Sequence, residues 1–374
     1  MFFTFLAILG TKGGECVERF ACRARIISGP GAIRALAEEH CSRLLMVMHA
    51  ADAARGEKIR QMSGAAEAEC FNDLDREPTV KQAVTGSQMI RQWEPDLVAA
   101  LGDRAVMDCA KAMVCFSGHP CTLAAIPIGV GCGSEITGSV TLFHNGSRHL
   151  LCGDAMKADL VILDPELAAE VKGESWAEAG FEILSAALEA YTAPVSGMLR
   201  DIHAREGFAA CWAALPAACA GKVTAAYRLQ QASLLTGMAV EQTGLGLCRA
   251  MENSLGAVLG LSRGVAAGIL LPAILSCNAH AAGQRYASLS RAAGLGGSRE
   301  ELGLRNLRSG LIRLRRELGL PGTLLQAGMD LQKVWNSSRR ITDLTLEDPE
   351  CRNNPVTVDD FMVRRILDAI TGRI

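Results

Sequence analysis

The chain of 374 residues has no surplus of basic charge, no paired-cysteine motif and no long apolar run. Each absence removes a class of function. Lys and Arg number 38 against 40 Asp and Glu, a net charge of -2. That balance supplies nothing to drive binding to nucleic acid or to an anionic membrane surface. Fourteen cysteines run from Cys16 to Cys351, yet no two form a CxxC pair. The chain is long and 49% hydrophobic, so it needs no disulfide framework, and reduced, buried thiols are expected. No cysteine cluster has the spacing of a structural metal site. No run reaches the roughly 18 to 20 apolar residues of a membrane-spanning helix. The longest candidate, Val265 to Leu275, is interrupted by Gly268 and Pro272. The opening MFFTFLAILG is apolar but has no basic n-region, and Lys12, Glu15 and Glu18 follow it, which argues against a cleaved signal peptide. A cytoplasmic protein without nucleic-acid or membrane partners is expected.

What is present changes character along the chain. Leu44 to Met48, Asp96 to Leu101, Ala124 to Ile128 and Leu160 to Leu163 are short apolar runs, with a helical stretch at Ala105 to Val114. Continuous apolar strands alternating with helices predict a parallel sheet covered on both faces. From Pro165 onward the spacing is helical. Ala177 to Tyr191, Arg200 to Ala213, Ala225 to Ala239 and Gly264 to Leu275 are rich in alanine and leucine with apolar residues three and four apart, as in packed helices. Gly294 to Ser298 predicts a loop between helices. The predicted organisation is an unassigned leader over residues 1–19, an α/β domain over 20–164 and an all-helical domain over 165–374.

Six segments carry a resemblance: RIISGPGAI from Arg25, PDLVAALGDRAVMDCAKAM from Pro95, IPIGVGCGSEIT from Ile126, VILDPEL from Val161, GFEILSAALEAY from Gly180, and Thr243 to Asn278. In this order and spacing they resemble the iron-containing (group III) alcohol dehydrogenase family, in its 1-propanol dehydrogenase type. The resemblance implies a Rossmann-like N-terminal domain followed by an all-α C-terminal domain, the dehydroquinate synthase-like fold of iron-type alcohol dehydrogenases. It also implies an NAD- or NADP-dependent oxidoreductase interconverting short-chain aldehydes and primary alcohols, assembled as a homodimer. Iron or zinc is the family's metal.

Set against that family, both halves of the site are altered. The turn expected against the cofactor pyrophosphate reads Gly102-Asp103-Arg104-Ala105. Asp103 would repel a pyrophosphate unless it serves as a helix N-cap, and Arg104 could pair with either anion. Gly131, Gly133 and Ser134 keep a second glycine-rich turn, Gly29 and Gly31 a third, and His49 replaces the acid that would hold the adenosine ribose. On the metal side the resemblance places Glu182 at the aspartate position, Ala186 one helical turn later, and Arg249 and Arg263 at two histidine positions, with Asn253 replacing a catalytic-centre histidine. Arginine keeps its proton and offers no lone pair to a metal. Iron or zinc is therefore not expected here. Glu182 is expected to pair with Arg249 or Arg263; alternatively Arg249, Arg263 and Asn253 form a metal-free catalytic centre in which a guanidinium polarises a carbonyl or holds an anion. The two functions left open are a metal-free oxidoreductase and a non-catalytic relative that pairs with an active homologue or binds a small anion.

Overall fold

The computed structural model describes residue 18 and residues 20–75, 77–130, 133–145, 147–168, 173–195 and 197–372. The first part contains strands β1 (Arg25–Ser28), β2 (Arg43–Met48), β3 (Glu67–Phe71), β4 (Leu97–Gly102), β5 (Thr122–Pro127), β6 (Ser139–His144), β7 (Ser147–Cys152) and β8 (Leu160–Leu163). Helices α1 (Ala53–Ser63), α2 (Val80–Trp93) and α3 (Arg104–Ser117) lie between them. Six strands form one parallel sheet in the order β1-β8-β5-β4-β2-β3, and β6 and β7 make a separate antiparallel hairpin. The parallel sheet explains the unbroken apolar runs. Leu45, Val47, Val98, Ala100, Leu123 and Ala125 pack on one face with Met107 and Met113 of α3. Their neighbours Leu44, Met46, Leu97, Ala99, Ala124 and Ile126 pack on the other with Leu36 and Ile59. Alternate residues face opposite sides of a strand, so a sheet covered twice needs every residue apolar.

The second part is helical: α4 (Pro165–Ala168), α5 (Gly173–Thr192), α6 (Met198–Cys219), α7 (Val223–Thr243), α8 (Leu247–Leu259), α9 (Arg263–Cys277), α10 (Ala279–Ala292), α11 (Glu300–Glu317), α12 (Leu331–Glu347) and α13 (Asp360–Thr371). Its core includes Trp176, Phe181, Phe208 and Tyr286. The loop at Gly294 to Ser298 lies between α10 and α11 as predicted. The Rossmann-like α/β part followed by helices is the fold class expected from the sequence.

Helix α9 continues through Pro272, in keeping with the helical spacing of Gly264 to Leu275. A proline inside a helix leaves the carbonyl four residues earlier without its donor. That carbonyl is Gly268, and Arg315 of α11 donates to it at 2.9 Å. Among the described residues no single helix is long and apolar enough to cross a membrane. Most of the 1–19 leader lies outside the described residues; Glu18 is described, and its carboxylate accepts the Leu199 N–H at 3.1 Å at the start of α6.

Candidate functional site

Parallel strands end on one side, and the crevice beyond their carboxyl ends is where open α/β sheets bind ligands. Here a cavity of about 810 Å3 opens beyond β2, β4 and β5, lined by His49, Gly102, Asp103, Arg104 and Gly129. Gly102 is required for packing, since a Cβ there would lie 2.5 Å from Cγ2 of Val106. Asp103 caps α3: its Oδ1 accepts from the N–H groups of Ala105 at 2.9 Å and Val106 at 3.3 Å. Those N–H groups are the donors a helix start otherwise offers to an anion, and the chain's own carboxylate takes them. His49 Nε2 stands 3.4 Å from the same oxygen. This hydrogen bond, opposed by burial, holds the His49 imidazole above its usual range. Burial pushes the Asp103 carboxyl up, but the His49 bond and charge outweigh it and leave the group below its usual range.

The other predicted cofactor contacts are engaged internally. Gly133 has φ 85° and a Cβ would fall 2.9 Å from Cα of Gly237, so the glycine permits close approach of α7. Its N–H donates to Oγ of Ser233 at 3.0 Å. Ser134 Oγ donates to Asp108 and accepts from Lys111 Nζ at 2.9 Å. Lys111 is fully buried and also donates to the carbonyls of Ser134, Thr137 and Ser139. Sequence reasoning passed over Asp108 and Lys111, although charges three residues apart on an otherwise apolar helix were the available signal. Gly29 and Gly31, with φ 143° and 77°, form the turn after β1; neither lines the cavity. Gly131 lies outside the described residues.

The altered metal positions come together where α5, α8 and α9 meet. The expected pairing of Glu182 with Arg249 or Arg263 does not form. Arg249 Nε instead stands 3.3 Å from Glu252 Oε2. Glu252 is fully buried and accepts from Ser185 Oγ at 3.0 Å and Cys248 Sγ at 3.5 Å. The residues are three apart on one helix, a spacing that brings side chains together, whereas Glu182 approaches from α5. Oε2 of Glu182 is buried without a hydrogen-bond partner among the described residues. Behind it, Glu189 accepts the Cys248 N–H at 2.6 Å and the Arg249 N–H at 3.3 Å. Burial, then the charge of Glu252, pushes the Glu189 carboxyl up to about 8.

Arg104 could pair with Asp103 or with a pyrophosphate by the sequence reading. Its guanidinium lies 3.5 Å from Asp108 and 4.0 Å from Glu77, and its charge also helps hold the Asp103 carboxyl down. Arg148 of the β6–β7 hairpin pairs with Glu77 at 2.9 Å and donates to the Asn253 carbonyl at 3.4 Å. Asn253 donates to Asp348 at 2.9 Å. Arg263, the first residue of α9, is only 7% exposed, and its Nε has no hydrogen-bond partner among the described residues. Burial, then the charges of Arg104, Arg249 and Arg148, lowers its guanidinium to about 9, opposed by Glu182. Arg104, Arg148 and Arg263 line both the large cavity and a second one of about 290 Å3, which Arg249 and Asn253 also line. Four arginines thus converge where the resemblance implies a metal.

The family model described as iron-containing alcohol dehydrogenase matches residues 23–165, and that described as Fe-containing alcohol dehydrogenase family, C-terminal, matches residues 176–371. The chain belongs to the iron-containing alcohol dehydrogenase family. Among its relatives, 1-propanol dehydrogenase PduQ of Citrobacter freundii is 28% identical over 95% of this chain and 100% of its own. The protein of the same name from Salmonella typhimurium is 30% identical over 74% of this chain and 79% of its own. An iron-containing alcohol dehydrogenase structure from Thermococcus thioreducens superposes with a TM-score of 0.87 at 25% identity, covering 95% of this chain and all of that one.

The family's divalent metal does not fit these residues. Among the described residues no three His, Cys, Asp or Glu side chains are grouped to hold an ion. At the positions to which the resemblance assigns the metal ligands stand one carboxylate whose buried Oε2 has no hydrogen-bond partner among the described residues, an alanine and two arginines. Cationic donors-only side chains repel a cation and offer it no electron pair.

Proposed function

We propose that this member of the iron-containing alcohol dehydrogenase family is a non-catalytic relative whose central cavity receives a small anion where its relatives place a metal. The observation that carries the reading is Arg263: a buried guanidinium whose Nε has no hydrogen-bond partner among the described residues and which has arginines for neighbours, facing both cavities. The Asp103 cap supports it, because the helix-start donors suited to a dinucleotide pyrophosphate are already bonded. Within the same proposal the chain assembles as a homodimer or pairs with an active homologue, as the resemblance implies.

A second reading, a metal-free NAD(P)-dependent reductase of short aldehydes with Arg263 as electrophile, draws support from the cavity of about 810 Å3 at the strand ends. Fluorescence titration of the purified chain with NADH and NADPH, followed by an aldehyde-reduction assay, separates the two. The proposed function expects no saturable cofactor signal and no turnover. Saturable binding with metal-independent turnover that Arg263→Gln abolishes would replace it with the second reading.

A further inference from the structure

Resting on the anion-binding reading above, we propose that the cavity of about 290 Å3 binds a short-chain aliphatic monocarboxylate, its carboxylate forked on Arg263 and its chain lying against Leu150, Val240, Leu245 and Leu344. The cavity wall carries five arginines, Arg340 the fifth, and the carboxylates Asp108, Glu347, Asp348 and Glu350. Arg249 has Glu252 at 3.3 Å, Arg148 has Glu77 at 2.9 Å and Arg104 has Asp108 at 3.5 Å. Arg263 Nε has no hydrogen-bond partner among the described residues, and the charge of Glu182 offsets only part of the burial and arginine repulsion that lower its guanidinium. A dianion would meet that charge and then face Asp108, Glu347, Asp348 and Glu350 across the same cavity. A monoanion meets the same carboxylates with half the charge, and so with less repulsion.

The shape of the donor sets the head group, and the walls set the tail. A guanidinium presents parallel N–H donors matching the two oxygens of a carboxylate. Arg263 opens α9, and the N-cap Ser262 makes no side-chain cap bond, so the positive end of the helix reinforces the guanidinium. The four apolar side chains give a chain of methylenes a surface to leave water for. At roughly 30 Å3 for each water-sized group, the space of about 290 Å3 holds a carboxylate with a handful of carbons.

The test is thermal unfolding of the full chain at fixed ionic strength with acetate, propionate, butyrate, butyramide or sulfate, each referred to Arg263→Gln so that general salt effects cancel. Saturable stabilisation by the carboxylates is expected, with dissociation constants tightening about fourfold per added methylene, the factor that burying one CH2 gives. Butyramide is expected to do nothing. Equal protection by butyramide, a flat chain-length series or an undiminished butyrate response in Arg263→Gln overturns the inference. Saturable protection by sulfate alone, lost in Arg263→Gln, overturns the carboxylate assignment and leaves the anion-binding reading standing. No response to any anion overturns both. Should Arg263→Gln fail to fold, the unmodified chain still yields the series, and Leu344→Ala is expected to flatten it.

Discussion

Replacing Arg263 by leucine is expected to stabilise the chain, the opposite of what most changes at a buried position do. Arg263 is 7% exposed, its Nε has no hydrogen-bond partner among the described residues, and Arg104, Arg249 and Arg148 add to the burial that opposes its charge. It also sits at the positive end of α9. Its fall from the usual 12.5 to about 9 sets an upper bound of about 5 kcal/mol on the field against it. Relaxation and entry of water reduce what a substitution recovers, and exchange of buried charges for apolar side chains gains about 1 to 4 kcal/mol. Glu182 loses a compensating charge in the exchange, which places the expected gain at the lower end, about 1 to 2 kcal/mol. In a chain of this length that raises the unfolding temperature by about 1 to 4 °C. The measurement is paired urea and thermal unfolding of both chains in carboxylate-free buffer of low ionic strength. The gain should shrink when butyrate is added, because only the parent chain has the ligand's partner. A loss of stability in carboxylate-free buffer would refute the reasoning, since it would mean that the charge is favourably compensated.

The neighbouring pair behaves in the opposite sense: Glu252→Gln removes the ion pair with Arg249 at a fully buried position and should cost about 3 kcal/mol in urea unfolding. Asp103→Ala frees the N–H groups of Ala105 and Val106. It should cost about 1 kcal/mol of stability and give a saturable NADH signal in a fluorescence titration where the parent chain gives none, because the helix-start donors are released. Glu189 is held up at about 8 by burial and then by Glu252, above the ordinary carboxyl value of 4.5. Its proton is therefore kept on folding, a contribution present in full below about pH 4.5 and lost as the pH rises through about 8. Glu189→Gln should flatten the decline of stability across that window, read from urea midpoints at successive pH values. Arg315→Met leaves the Gly268 carbonyl of α9 without its donor and should lower stability by about 2 kcal/mol.

The sheet's centre was legible because β2, β4, β5 and β8 are buried on both faces and read as unbroken apolar runs. The edge strands β1 and β3 lack that signature: Arg25, Glu67 and Glu69 are exposed, and half-solvated alternation over four or five residues is a weak pattern. The β6–β7 hairpin carried a stronger cue in Asn145-Gly146, with Asn145 at φ 50°. At the site, the resemblance singled out the substituted metal positions, and chemistry alone ruled arginine out as a ligand. The partners were another matter. Glu252 lies three residues from Arg249 and could have been read from helical spacing. Glu77 and Arg148 come from the segment before α2 and from the hairpin, and only the folded chain brings them beside Arg104 and Asn253.

Substitution of guanidinium for imidazole at the metal position is tested most directly by elemental analysis after anaerobic loading. The chain, incubated with excess Fe²⁺ or Zn²⁺ and desalted, is expected to retain no stoichiometric metal. The variant Glu182→Asp/Ala186→His/Arg249→His/Arg263→His, with Glu252→Ala to remove the stranded acid, is expected to retain it. Stoichiometric iron or zinc in the unmodified chain, lost on Glu182→Ala, would contradict the account.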